Sequence, residues 1–427
     1  MDSPRIGTVG PELLKLELSS GGRLGFAGAV LGCDGCIYGV PADARQVLRF
    51  DPETQNSMLI GADLGGEEYK WSDGVLGRDG CIYGIPHDSA RVLRFDPVAE
   101  EATLVGPYLG QGGGKWDGGV LGPDGCVYGV PFNSARVLRF DPSTQEVTLV
   151  GPDLGEGDEA NPQGGGKWRG CVLGRDNCIY GIPGSSSHVL RFDPTTREAS
   201  LVGPDLGEAG EPAGEEEDDD GASSSSRSSS SSSSSSSRAG SAAQAQSTHK
   251  WAGGVIGPDG CIYGLPFVAE RLLRFDPLTQ QATLVGGDLG QGGGKWSCGL
   301  VGADGFIYGI PYDAERVLRF DPKTQESALI GPDYGLFGDK WSSGVVGTNG
   351  CIYGVPYHAA QVLRIRGIVP PRSNGNRPDT AVAVPNGVPT SKAERALVAE
   401  ALYKQAVELG VEGLLLVRLA AHAEERM

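Results

Sequence analysis

The chain has 427 residues, with 36 Lys and Arg against 54 Asp and Glu and a formal net charge of −18. That balance speaks against a nucleic-acid partner, which needs a basic face, and no run of about 18 apolar residues is present to span a membrane. Gly is abundant at 69 residues, but it recurs at fixed places in a repeat and therefore marks turns.

Taken in order, the start, Met1–Ser20, lacks the basic-then-apolar layout of a secretory leader. Gly7–Leu13 (GTVGPEL) matches Thr103–Leu109 (TLVGPYL) further on, so the N-terminus is expected to lend a strand elsewhere. From Leu24 the chain consists of seven copies of one unit, marked by Tyr38, Tyr83, Tyr128, Tyr180, Tyr263, Tyr308 and Tyr353. The plain step is 45 residues; two longer steps, 52 from Tyr128 and 83 from Tyr180, hold insertions. A fixed period of this size signals a repeat architecture.

In the second copy the spacing predicts strands at Gly74–Gly77, Cys81–Pro86, Arg91–Asp96 and Ala102–Val105. Asp79-Gly80 is a hairpin corner, because Gly accepts positive φ without steric cost. Pro97 ends the third strand, since Pro cannot donate to a ladder. Four strands per unit make the blade of a β-propeller; two helices per unit are excluded by the Gly and Pro content and the short apolar runs. The seventh copy has strands at Gly344–Gly347, Cys351–Pro356 and Gln361–Ile365 but no fourth. The N-terminal match fills that gap and removes an open edge. The expected fold is all-β: a seven-bladed β-propeller of four-stranded blades, closed by an N-terminal strand in the last blade, plus a short C-terminal α-helical tail.

The domain reading follows. Residues 1–23 are the closing strand and lead-in, 24–367 the propeller, 368–389 a flexible linker and 390–427 an amphipathic helical tail. The tail opens with a capping box, Ser391 to Glu394, and carries Val398, Leu402, Ala406 and Leu409 at helical spacing. It would dock on the propeller or mediate self- or partner association. The insertions are Glu156–Gln163 and residues 207–249. The latter holds the acidic run Glu215–Asp220 and a serine tract, and composition predicts disorder. Both leave between a fourth strand and the next first strand, hence on one face. They are tolerated loop expansions or an acidic lid.

Three sets of residues are candidates for chemistry. Six Lys-Trp pairs open the innermost strands: Lys70-Trp71, Lys115-Trp116, Lys167-Trp168, Lys250-Trp251, Lys295-Trp296 and Lys340-Trp341. As a ring they would bind an anion, a sugar or an aromatic group; as structure they would wedge between blades with the Lys stems laid over the indoles. The Arg-Phe-Asp-Pro motif, as at Arg49/Asp51 and Arg94/Asp96, reads as a structural ion pair or turn cap. The loops between second and third strands differ among blades: Ala42-Asp43, His87-Asp88, Phe132-Asn133, Gly184-Ser185, Phe267-Val268, Tyr312-Asp313 and Tyr357-His358. A single axial site needs unlike residues converging, so Asp43, His87, Asp88, Asp313 and His358 are the candidates for a divalent metal. His188, His249 and His422 read as incidental.

Cys36, Cys81, Cys126, Cys178, Cys261 and Cys351 share one repeat position, where the sixth copy has Phe306. A place that accepts Cys or Phe is an apolar packing site. Cys33, Cys171 and Cys298 are irregular. An odd count of nine points to reduced thiols and, with no leader, a cytoplasmic location.

The pattern Asp-Gly-x-Ile-Tyr-Gly-x-Pro followed by Val-Leu-Arg-Phe-Asp-Pro-x-Thr, spanning Gly7 to Arg366, resembles the seven-bladed propellers of the NHL, virginiamycin-B-lyase-like and SMP-30/gluconolactonase-like groups. The resemblance implies the architecture. The lyases and lactonases among these use an axial metal held by a few unlike polar residues, and no residue of this chain is matched to them one by one. Two readings of function result. One is a non-catalytic binding module that recognises a small ligand, glycan or protein on its loop face and needs no cofactor. The alternative is a metal-dependent lyase or lactonase-type hydrolase with one site on the axis. Near-identical blades favour the first, because catalysis on one substrate needs broken symmetry.

Overall fold

The computed structural model describes residues 10–18, 24–155, 165–207, 249–336 and 338–366. The expected linker and helical tail, and most of both insertions, lie outside these residues. The described residues form seven antiparallel four-stranded sheets, arranged as seven propeller blades. In blade two the strands, from the axis outward, are Trp71–Leu76, Ile82–Pro86, Val92–Asp96 and Glu101–Val105.

The repeat motifs account for the seams between blades. The second strand, Ile-Tyr-Gly-Ile-Pro in blade two, is buried at all five positions in every blade, because both of its faces meet neighbouring blades. The repeat Tyr packs on the Phe of Arg-Phe-Asp in the next blade, as in Tyr38 on Phe95 (5.6 Å between centroids) and Tyr83 on Phe140 (5.1 Å). The Tyr hydroxyl donates to the Asp of its own hairpin corner, as Tyr38 does to Asp34 Oδ2 at 2.9 Å. The Arg of the third strand reaches that same Asp: Arg49 to Asp34 at 3.2 Å, Arg191 to Asp176 at 3.1 Å and Arg274 to Asp259 at 3.0 Å. The Asp of Arg-Phe-Asp-Pro caps its own turn, Asp51 Oδ1 accepting from Glu53 N–H at 2.9 Å; in blades two and three it also meets the Arg of its own motif, Arg94 to Asp96 at 3.5 Å and Arg139 to Asp141 at 3.7 Å. The motif is structural. All nine cysteines are free thiols, and five of the six at the shared position are buried.

Two expectations on strand placement need correction. The inner strand begins at Trp71, not Gly74, and a register shift follows the Trp: Trp71 pairs with Pro86 and Asp73 with Ile85. The same irregularity recurs in all seven blades. A bulge breaks the period of two on which a strand is recognised, and it re-aims the side chains beside it. The closing strand is Glu12–Lys15, paired antiparallel with Gln361–Ile365 in the register Glu12 to Arg364 and Leu14 to Val362. The match to Thr103–Leu109 had put Val9 where Leu14 stands. Charge and burial explain the difference. Blade seven has Asn349 at the corner in place of Asp, so Arg364 finds its carboxylate on the closing strand: Glu12 Oε1 accepts from Arg364 Nε at 2.6 Å and Arg366 Nε at 2.8 Å. Leu14 and Leu16 are buried behind it.

Candidate functional site

The Lys-Trp pairs stand in the blade seams. Each indole is no more than 2 % exposed. Each indole N–H donates to a main-chain carbonyl twenty residues on, as Trp71 does to Arg91 O at 3.0 Å and Trp251 to Arg271 O at 2.9 Å. The ammonium groups are held by loop carbonyls: Lys70 Nζ by Glu67 O, Lys115 by Gly112 O, Lys167 by Gly155 O and Ser134 O, Lys250 by Ser186 O, Lys295 by Val268 O and Lys340 by Gly335 O. Burial pushes Lys115 and Lys295 down to about 8. These pairs stitch each connection to the next blade, and of the twelve side chains only Trp71, Lys115 and Trp116 reach the wall of the axial cavity.

That cavity, of about 1540 Å³, follows the inner strands down the axis. At the loop face it is ringed by seven side chains in a closed circuit. Consecutive ring centroids lie 6.1 Å apart for Tyr69–His87, 5.4 Å for His87–Phe132, 5.3 Å for Phe132–His249 and 6.5 Å for His249–Phe267. The circuit closes through Phe267–Tyr312 at 5.8 Å, Tyr312–Tyr357 at 6.2 Å and Tyr357–Tyr69 at 6.4 Å. Five members are the first residue of the loop after the second strand. That loop is fixed by main-chain bonds to the lysines on either side, as where His87 N–H donates to Lys70 O and Lys115 N–H to His87 O.

The other two members come from a different place in the repeat. Blades one and four have Ala42 and Gly184 at the loop position. There the residue before the next Lys, Tyr69 or His249, fills the collar. After blades two, three and five, where the loop side chain is His87, Phe132 or Phe267, that residue is Gly114, Gly166 or Gly294: a Cβ on Gly294 would sit 2.5 Å from Phe267. Size is thus exchanged between two positions so that each blade contributes one ring. His249, which read as incidental, is a collar member. Its Nε2 is bonded to Gly165 O at 2.6 Å, and burial, reinforced by Arg169, holds its imidazole down to about 4 and hence neutral. Gly165 and His249 are also where the chain re-enters the described structure after each insertion.

Below the collar the bulged inner strands break the symmetry of the repeat. The residue after Trp, or after Phe26 in blade one, is Ala27, Ser72, Asp117, Arg169, Ala252, Ser297 or Ser342, and the next is Gly28, Asp73, Gly118, Gly170, Gly253, Cys298 or Ser343. The polar ones line the cavity. Arg169 Nε lies 3.5 Å from Asp117 Oδ2, and its guanidinium covers the Phe267 ring at 4.1 Å. Asp73 is held by two main-chain donors, Gly74 N–H to Oδ1 at 2.8 Å and Gly119 N–H to Oδ2 at 3.0 Å. Burial pushes its carboxyl up to about 7, and Asp117 acts in the same direction. Burial also raises Asp117, against the pull of Arg169. The irregular Cys171 and Cys298 line the same cavity. The signal for this layer was in the sequence: unlike residues directly after an otherwise constant Lys-Trp.

The five metal candidates are used differently. Asp43, Asp88 and Asp313 each accept a main-chain N–H from the next connection, at Tyr69 (2.9 Å), Gly114 (2.8 Å) and Asp339 (3.1 Å). His87 Nδ1 lies 3.2 Å from Asp88. His358 lies 4.0 Å from Asp43 through Nε2 and 3.6 Å from Asp339 through Nδ1, different ring nitrogens facing different carboxylates. Among the described residues no three His, Cys, Asp or Glu side chains are gathered as a metal site. This donor set does not fit the axial metal that the resemblance implies, and no step is derived through one.

No family model matches the sequence, and no curated protein does. Solved structures do. A streptogramin B lyase matches with a TM-score of 0.58 at 12 % identity, over 83 % of this chain and 96 % of that one. Virginiamycin B lyase from Staphylococcus aureus matches with 0.56 at 10 %, over 83 % and 98 %. Hydrazine synthase from Kuenenia stuttgartiensis matches with 0.55 at 13 %, over 82 % and 99 %. Their functions differ, and at such identities the likeness is one of fold. The chain is a seven-bladed β-propeller of the kind found in the virginiamycin B lyase structures.

Proposed function

We propose that this protein is a binding module that holds a small, ring-bearing molecule on the propeller axis at the loop face. The observation that carries this is the closed collar of seven rings, maintained by exchange of size between two repeat positions. Packing alone asks nothing of Tyr69, which is 50 % exposed and still completes the circuit. Concave sites lined by aromatic side chains with a few convergent polar groups are the usual form of a small-molecule site, and the layer of Asp73, Asp117 and Arg169 supplies the polar groups. In this reading the Lys-Trp ring is the frame that positions the collar.

The test uses ligand-observed NMR with phenol, indole and methyl glucoside against the full chain. Saturation transfer to the ring-bearing probes is expected, and its loss in a Tyr69→Ala/Phe132→Ala variant that keeps its melting temperature within a few degrees. Transfer that persists unchanged in that variant would refute the collar as the site.

A further inference from the structure

We infer that the molecule held on the axis is an organic cation, with its ammonium group against Asp73 and its apolar substituents beneath the collar; this rests on the collar reading above. Across the seven inner strands only three side chains are charged: Asp73, Asp117 and Arg169. Arg169 and Asp117 answer each other. Asp73 has two main-chain N–H partners and no cationic one in the described structure. A carboxylate has four acceptor sites, so those two bonds leave capacity on both oxygens. The titratable groups acting on it are Asp117, Cys171 and Cys298, none of which brings positive charge. The cavity wall also carries Lys115, Arg136 and Arg175, and Lys115 gives its Nζ to Gly112 O.

A buried carboxylate without a counter-ion is costly, and Asp73 meets that cost by holding its proton up to about 7. An ammonium group in the cavity supplies the missing charge and favours the ionised form. The rings above suit the same guest, since an aromatic face attracts a cation. The molecule already uses one of them in that way, with the Arg169 guanidinium over Phe267. Of the two collar histidines, burial keeps His249 neutral, and His87 stands beside the Asp88 carboxylate, its Nδ1 3.2 Å from Oδ1. The chain carries a net charge of −18, which favours cations over anions as ligands. An anion would meet Asp73 and Asp117, and a neutral guest would leave Asp73 without a cationic partner.

The experiment compares benzyltrimethylammonium with its carbon isostere, neopentylbenzene, on the full chain by ligand-observed NMR at pH 8. The cation is expected to bind about tenfold more tightly. Neither probe titrates, so any pH dependence belongs to the protein. The cation's affinity should fall severalfold between pH 8 and pH 6, as Asp73 takes up its proton, while the isostere's stays level. Asp73→Asn should remove both the preference and the pH dependence. Because Asn satisfies only one of the two main-chain donors to Asp73 and so loosens the inner strand, the pH series on the unaltered protein carries the test independently. Equal binding of the two probes, or a preference that does not change with pH, would overturn the cation assignment and leave the collar reading standing. Binding of neither would overturn both.

Discussion

Trp251 and Tyr69 are both aromatic, both lie near the axis and obey opposite rules. Trp251 is fully buried, shares its place with five other tryptophans, and spends its N–H on Arg271 O. Tyr69 is half exposed, has no counterpart of its type at the same repeat position, and meets only two other collar members. The contrast holds for the whole molecule. Where a residue faces the adjoining blade, its surroundings nearly repeat from blade to blade and so does its identity, as with the six tryptophans and Phe26. Where seven blades face one shared space, no two positions need be alike, and Asp73, Asp117, Arg169, Cys171 and Cys298 stand there, each in one blade only.

The largest effect expected from breaking this contrast is at the seam. Trp251→Ala should cost about 3 to 5 kcal/mol by removing a large buried ring, against less than about 1 kcal/mol for Tyr69→Ala; denaturant unfolding of the two variants measures the gap. Similar losses would mean that collar and seam are one structural system.

An intermediate effect is expected at Asp73. Its folded carboxyl titrates at about 7, above the ordinary aspartate value of 3.8. The folded state therefore binds a proton that the unfolded chain has already released, and stability is lost as pH rises from about 4 to about 7, with no further change above. The stability of Asp73→Asn relative to the unaltered chain should rise across that window by roughly 3 to 4 kcal/mol, at about 1.4 kcal/mol for each pH unit. A flat difference would show that Asp73 is ionised throughout.

The smallest effect is at the closure, where Glu12 is held below its ordinary value by Arg364, with Arg366 adding to it. Here the sign is reversed: the stabilisation is present above about 4.5 and is lost as pH falls through the depressed value. Glu12→Gln should cost about 0.5 to 1 kcal/mol at neutral pH, since the pair is partly exposed, and should raise amide exchange at Leu13–Lys15. Unchanged exchange would mean that Leu14 and Leu16 alone hold the strand.

Much of the disc was legible beforehand because its signals are local. An Asp-Gly corner, a Pro that stops a strand and an alternating Val-Leu-Arg-Phe each act within a few residues, and seven repetitions remove the ambiguity of any one. The inner strand was misjudged at its start because the bulge after Trp71 interrupts alternation. The closing strand was misplaced because Gly-Pro and Leu recur in Gly7–Leu13 by resemblance to a turn, whereas register depends on what stands opposite. The variable loop positions supply five of the seven collar rings, yet their carboxylates at Asp43, Asp88 and Asp313 serve the backbone, which no spacing reveals.

The sequence by itself determined the number of blades, the order of strands within each, and the supply of the last strand from the N-terminus, since these follow from periodicity and from a count of strands. Only the tertiary structure decided the collar and the layer below it. Tyr69 and His249 occupy a different repeat position from the other five rings, and Asp73, Asp117 and Arg169 belong to three different blades. Such residues become neighbours only when the ring closes and brings seven separate strands to one axis.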